Sequence, residues 1–152
     1  MAIGEICSRE VVVMERGENI RTAAELMRQH HVGSLVVVAD QNGKRVPAGI
    51  ITDRDIVVAV VALGLDPEAI RVEDVMSQGL ISVRENAGVA ETTEVMRKNG
   101  IRRIPVTDGK GALVGIVAAD DLQSLLAEEM SALATMVARE HKREAEIRRK
   151  LS

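Results

Sequence analysis

The sequence contains no phenylalanine, tyrosine or tryptophan. Without an aromatic ring there is no platform on which unpaired bases could stack, so recognition of single-stranded nucleic acid by an RRM-type sheet is excluded. Its one cysteine, Cys7, cannot form an intrachain disulfide, and no CxxC pair is present to hold zinc. A reducing, cytoplasmic setting is therefore expected. Long apolar runs are missing too: the longest, Ile56 to Leu65, falls far short of the roughly 20 residues that span a bilayer. The first ten residues carry Glu5, Ser8 and Arg9 where a signal peptide needs an apolar stretch. A strong charge of one sign is also absent. The formal net charge is -3, which gives no general attraction to DNA or acidic lipid, so neither nucleic acid nor membrane is expected as a partner.

What is present is globular composition. Of 152 residues, 46% are hydrophobic and 28% charged, enough apolar mass for a core in one unit or two small repeats.

An internal repeat organises the chain. The segment from Asn19 to Arg28 aligns with that from Gly88 to Arg97, Met27 falling on Met96. Ile20, Ala23, Ala24 and Met27 fall at i, i+3, i+4 and i+7, and Val89, Thr92, Thr93 and Met96 repeat that face, so both segments predict helices. Each is followed by an apolar strand, Leu35 to Ala39 and Ile104 to Thr107, and then by a Gly-containing hairpin turn, Asp40 to Gly43 and Asp108 to Gly111. Second strands follow at Ala48 to Thr52 and Leu113 to Val117, and each enters a helix, Asp53 to Leu63 and Asp120 onward. The order strand, helix, strand, strand, helix, met twice, predicts an α/β (α+β) architecture with small mixed sheets. Units of about 60 residues are marginal alone, so the two repeats are expected to pack together.

The chain ends in a predicted helix from Asp120 to about Lys150, roughly 45 Å long at 1.5 Å per residue. Leu122, Leu126, Met130, Leu133 and Val137 form an apolar stripe that fades into the charged run from Arg139 to Glu144. Such a helix is either solvated along its charged end, with i,i+4 pairs such as Glu144 with Arg148, or a dimerising or partner-docking element.

Chemistry concentrates where the first repeat turns from strand to helix, Gly49-Ile50-Ile51-Thr52-Asp53-Arg54-Asp55. Thr52 followed three residues later by Asp55 is a capping-box pattern worth about 1 kcal/mol. The same groups can hold a nucleotide: a hydroxyl at a helix N-terminus binds phosphate, and a carboxylate one turn in accepts both hydroxyls of a ribose.

This element, the repeat itself and the Gly100-Ile101-Arg102-Arg103-Ile104-Pro105-Val106 segment together resemble a tandem pair of CBS domains, the cystathionine beta-synthase type regulatory module. The resemblance covers about Glu5 to Leu126. It implies β-α-β-β-α units at residues 5–70 and 71–127, related by a pseudo-two-fold axis, with 128–152 a helical extension, and clefts that receive adenosine-containing ligands. By position, Asp55 matches the family's ribose-binding acid and Thr52 its hydroxyl near the phosphate. Ile50 would line the pocket wall, and Leu80 and Ile81 match the segment lining adenine from the opposite domain. Arg102 and Arg103 match the basic pair that reaches the phosphates in adenylate-binding members, and guanidinium forks suit phosphate oxygens. The resemblance further implies paired discs, hence a homodimer.

The second cleft departs from this pattern. Its motif reads Gly115-Ile116-Val117-Ala118-Ala119-Asp120-Asp121, with Ala118 at the hydroxyl position, and Gly33 and Ser34 stand where the other repeat has Arg102 and Arg103. Asp121 is retained as a weaker site, but several charge-assisted bonds, each worth about 1.5 to 3 kcal/mol, are lost. One tight ligand per chain is expected.

His30 and His31 are adjacent and point about 100° apart on a helix, so no metal site is expected from them. Cys7 has no basic partner placed near it by sequence, and no Ser-His-Asp, P-loop or HExxH pattern occurs. The expectation is a non-catalytic regulatory module binding AMP, ADP or ATP, with no catalytic cofactor. The alternative is a structural dimerisation or protein-interaction module that uses the C-terminal helix, with no ligand or with S-adenosylmethionine or NAD.

Overall fold

A computed structural model describes all residues from Met1 to Ser152. Two units emerge, Met1–Val117 and Ala118–Ser152. The first holds both repeats up to their last strand, and the second is a single helix with its cap.

A short helix α1 (Ile3–Ile6) precedes the first repeat, which runs β1 (Val13–Glu15), α2 (Ile20–His30), β2 (Ser34–Gln41), β3 (Lys44–Thr52) and α3 (Asp53–Ile56). The second runs β4 (Val83–Arg84), α4 (Val89–Asn99), β5 (Arg103–Thr107), β6 (Leu113–Ala118) and α5 (Ala119–Leu151). Each repeat builds a three-stranded sheet in the order β1-β2-β3 or β4-β5-β6. The first strand of each lies parallel to the second, while β2 and β3 form an antiparallel hairpin. The mixed α/β architecture expected from the sequence is therefore the one observed.

The hairpin closes through Asn42 and Gly43, both at positive φ (55° and 79°), as a two-residue turn matched to strand twist requires. Pro47 sits opposite Val38 beside a register shift on β3, the edge strand, and edge strands and bulges are where a sheet accommodates proline. β3 begins four residues earlier in the chain than the apolar pattern alone suggested, because Lys44, Arg45 and Val46 continue the ladder to Gln41.

Side chains of β2 from Leu35 to Val38 are all buried, which marks a central strand covered on both faces. Around it pack Ile20, Ala23 and Met27 of α2 with Met14, Ile51, Val60 and Val72. Ala24 and Thr93, assigned to the helix faces from spacing, are exposed. The buried stripe is narrower, Ile20-Ala23-Met27 and Thr92-Met96. Buried Thr92 satisfies its hydroxyl by donating to Gly88 O at 2.9 Å.

The helix expected from Asp53 to Leu63 is α-helical only to Ile56; Val57–Val61 continues as a π-helical turn. Along it Val60 is buried while Val57, Val58 and Val61 are more than half exposed, so this β-branched run has one anchoring side chain.

The segment before each repeat hydrogen-bonds to the other repeat. Ile3 N donates to Ala87 O at 2.7 Å, and Ser8 and Ile116 exchange both backbone bonds at 2.9 and 3.0 Å. The equivalent Ser77 N donates to Ile50 O at 3.1 Å. A boundary at residue 70 or 71 divides the chain by sequence, but residues 2–8 pack with the second repeat and 72–77 with the first. Two glycines allow this approach. A Cβ on Gly49 would stand 2.6 Å from Met76 Sδ, and one on Gly115 would stand 2.5 Å from Cys7 Sγ and 2.8 Å from Ser8 O.

Candidate functional site

β3 ends by delivering Thr52 in extended geometry (φ -114°, ψ 162°) to the start of α3. Thr52 Oγ1 accepts from Asp55 N at 3.1 Å, and Asp55 Oδ2 accepts from Thr52 N at 2.9 Å. This reciprocal capping box satisfies two N–H groups that the helix start would leave unpaired. It also orients the chemistry. Thr52 uses a lone pair in the cap and keeps its O–H proton to donate, and Asp55 keeps Oδ1 as an acceptor. The motif is tied to the start of β2 by Asp53 N, which donates to Gly33 O at 3.0 Å.

These groups line a cavity of about 590 Å³, within the roughly 300 to 1,000 Å³ of small-molecule sites. From the first repeat come Gly33, Ser34, Ile50, Thr52, Asp53, Arg54 and Asp55; from the second come Gly100, Ile101, Arg102 and Arg103, with Ser77 from the connecting segment. Three guanidinium groups thus share the cavity with two carboxylates, and Ile50 and Ile101 supply aliphatic walls. Arg54, Arg102 and Arg103 are exposed while Thr52 and Asp55 are half-buried, so the anchoring groups are held rigidly and the basic ones reach in on long stems.

Five of the residues singled out by sequence, Ile50, Thr52, Asp55, Arg102 and Arg103, are thus brought together on one cavity, although Thr52 and Arg102 are 50 positions apart in the chain. Leu80 and Ile81 are not part of its lining. They are half-buried further along the connection, and the residue of that connection that does line the cavity is Ser77, fixed by its hydroxyl donating to Ile50 O at 3.2 Å. Asp121 lies in the first turn of α5, where Oδ2 accepts from Ala118 N at 3.0 Å. That is half a capping box, since Ala118 has no oxygen with which to return the bond.

Sequence reasoning did not assign Gly33, Ser34, Arg54 or Ile101 to this site. The repeat alignment carried a signal for the first two, which answer to Arg102 and Arg103. Gly33 also has a local reason to lack a side chain: a Cβ there would stand 3.1 Å from Asp53 Oδ2, so a longer residue would push on the strand-to-helix turn.

Nowhere in the chain do three or more His, Cys, Asp or Glu side chains gather as a metal site would require. His31 instead ends α2 in left-handed geometry (φ 53°). No helix is long and apolar enough to cross a membrane.

The family model for the CBS domain matches this chain twice, over residues 3–62 and 72–128. The chain belongs to the CBS-domain family. Its two copies are the two repeats. The curated protein MK0525 of Methanopyrus kandleri is 40% identical over 122 residues, 80% of this chain and 61% of that protein, so the match leaves over a third of the relative uncovered. Hypoxic response protein 1 of Mycobacterium tuberculosis is 33% identical over 82% of this chain and 84% of its own length. Among solved structures, the hexameric CBS-CP12 protein of bloom-forming cyanobacteria superposes with a TM-score of 0.70 at 31% identity, over 81% of this chain and 66% of that one. The CBS-pair fold inferred from the repeat is thereby established.

Proposed function

We propose that this CBS pair is a non-catalytic sensor that binds one adenine nucleotide, AMP, ADP or ATP, in the cavity shared by its two repeats. The observation that carries this reading is the convergence of a capped Thr52 and Asp55 from one repeat with Arg102 and Arg103 from the other on one space of about 590 Å³. Asp55 Oδ1 accepts from the ribose hydroxyls, Thr52 donates to a phosphate oxygen, and the arginine forks close on the remaining phosphate oxygens. Adenine lies against Ile50 and Ile101, and with no aromatic ring to stack on, backbone groups must discriminate the base.

Because the cavity draws on both repeats, a bound nucleotide ties them together. It signals only to the extent that two arrangements of the protein bind it unequally. Beside its two carboxylates the cavity is lined by no His, Cys or Lys and by no nucleophile–base pair, which supports regulation rather than turnover. The adenylates rank above S-adenosylmethionine and NAD because three guanidinium groups favour a terminal phosphate over the sulfonium of the first and over the less charged internal pyrophosphate of the second.

Calorimetric titration of the purified chain with AMP, ADP, ATP, S-adenosylmethionine and NAD tests this reading. One site per chain for an adenylate, lost in Arg103→Ala, is expected. Two equally tight sites per chain would overturn the asymmetry argued from Ala118, Gly33 and Ser34, and no binding of any adenylate would overturn the reading itself.

A further inference from the structure

Beyond its first turns, α5 carries an apolar face in contact with water. Leu126, Met130, Leu133 and Val137 are 54, 67, 53 and 43% exposed. Their 4-3-4 spacing places them along one seam of a heptad pattern, and an apolar strip rimmed by polar residues marks an interaction surface.

The charges on the same helix point to its occupant. From Ala119 to Ala138 the ionisable groups are Asp120, Asp121, Glu128 and Glu129, with no base among them. From Arg139 to Leu151 there are six bases against three acids. One helix is therefore acidic in its first half and basic in its second, which makes it complementary to itself when reversed. The seam gives the same direction. Its next two positions after Val137 are Glu140 and Glu144, and a parallel pair would stack each against its own copy, two like-charge layers in an apolar interface.

We propose that α5 pairs antiparallel with α5 of a second copy of this chain, centred on the block from Leu126 to Val137. In this register Leu126 packs against the partner's Val137 and Met130 against the partner's Leu133, and the two-fold axis repeats both layers. Four contiguous apolar layers result. Asp121 comes level with the partner's Lys142 and Asp120 with the partner's Arg143, while Glu140 lies level with the partner's Gln123, outside the apolar layers. The pairing uses no residue of the nucleotide cavity, so it stands or falls independently of the ligand.

Full-length chains carrying Cys7→Ser and a single new thiol test the direction and register. A mixture of Leu126→Cys and Val137→Cys chains is expected to form a covalent heterodimer on mild oxidation, and each variant alone is expected to yield at most a tenth as much. A covalent dimer from Leu126→Cys alone would show parallel pairing and overturn the proposal, as would preferential linkage of Leu126→Cys to Leu151→Cys, which would mark another register. Sedimentation of the wild-type chain and of Met130→Glu/Leu133→Glu supplies the second measure. These side chains are exposed, so the repeats should stay folded by circular dichroism while self-association weakens at least tenfold. A wild-type monomer at tens of micromolar, or a double variant that associates as tightly as wild type, refutes the proposal. Adenylate titration of the double variant is expected to match wild type, which keeps this result separate from the nucleotide reading.

Discussion

Replacing Asp55 by Asn separates the structural use of that side chain from its use in binding. In the folded protein Asp55 Oδ2 accepts from Thr52 N at 2.9 Å while Asp55 N donates to Thr52 Oγ1 at 3.1 Å. Asn at this third helical position retains one carbonyl oxygen that can accept from Thr52 N, so it keeps the reciprocal bond and gives up only the charge at the helix N-terminus, about 0.3 to 1 kcal/mol. A ribose loses more. With its oxygen committed to Thr52, the substituted amide would present an NH₂ donor where Oδ1 had been an acceptor, leaving two hydroxyl donors without a charged partner. The loss of such a charge-assisted interaction, about 1.5 to 3 kcal/mol, corresponds to about 10- to 150-fold weaker adenylate binding.

Thermal shift converts this into a readout. Ligand at 100 times its Kd stabilises the folded chain by about 2.7 kcal/mol, or about 5 to 11 °C for a chain of this size. A variant binding 30-fold more weakly keeps about 0.9 kcal/mol at the same ligand concentration, and the shift falls to about a third. Asp55→Asn without ligand should melt within about 4 °C of wild type. An unchanged nucleotide affinity in a folded Asp55→Asn chain would refute the ribose role of Asp55 and leave it as a helix cap only.

Gly115→Ala is expected to cost about 1 to 3 kcal/mol by overpacking, measured by urea denaturation, and more than Gly49→Ala. The new methyl at 115 meets backbone Ser8 O at 2.8 Å, whereas at 49 the nearest atom is the flexible Met76 Sδ; the reverse order would argue against the crossed packing of the N-terminal arm. Ala118→Thr supplies the hydroxyl that completes the box with Asp121 and should raise stability by about 1 kcal/mol, seen as a higher melting temperature. Donation from Ala112 N, and then from Lys110 N, holds the exposed Asp108 carboxyl below the usual carboxylate range. Its folded value is lowered, so its contribution is present at neutral pH and is lost as pH falls below the ordinary range toward the folded value. Melting temperatures between pH 5 and 2 should therefore drop less steeply in Asp108→Asn, and identical slopes would contradict this assignment.

Much of this protein is determined by local pattern. Helix faces such as Ile20-Ala23-Met27, the Asn42-Gly43 turn and the Thr52/Asp55 cap are short-range features, each dictated within one or two turns of chain, and the repeat doubled every such signal. The asymmetry of the second half was legible for the same reason, since Ala118, Gly33 and Ser34 stand in direct comparison with Thr52, Arg102 and Arg103. The apolar seam of α5 and its change from acidic to basic charge are likewise legible in the sequence alone.

Only tertiary structure decided which segments meet. Residues 2–8 bond to the second repeat and residues 72–77 to the first, a crossing that leaves no local trace because backbone hydrogen bonds between distant segments do not depend on side-chain identity. Its one signature is negative, the absence of a side chain at Gly49 and Gly115, and its meaning appears only when Met76 and Cys7 are seen against them. The crossing also puts Ser77, rather than Leu80 or Ile81, beside Ile50. The cavity itself is a product of packing: Thr52 and Asp55 would cap a helix in any context, and Arg102 and Arg103 would begin a strand in any context. They face one space only in the folded chain, where residues 33–55 of the first repeat and 100–103 of the second line the same cavity.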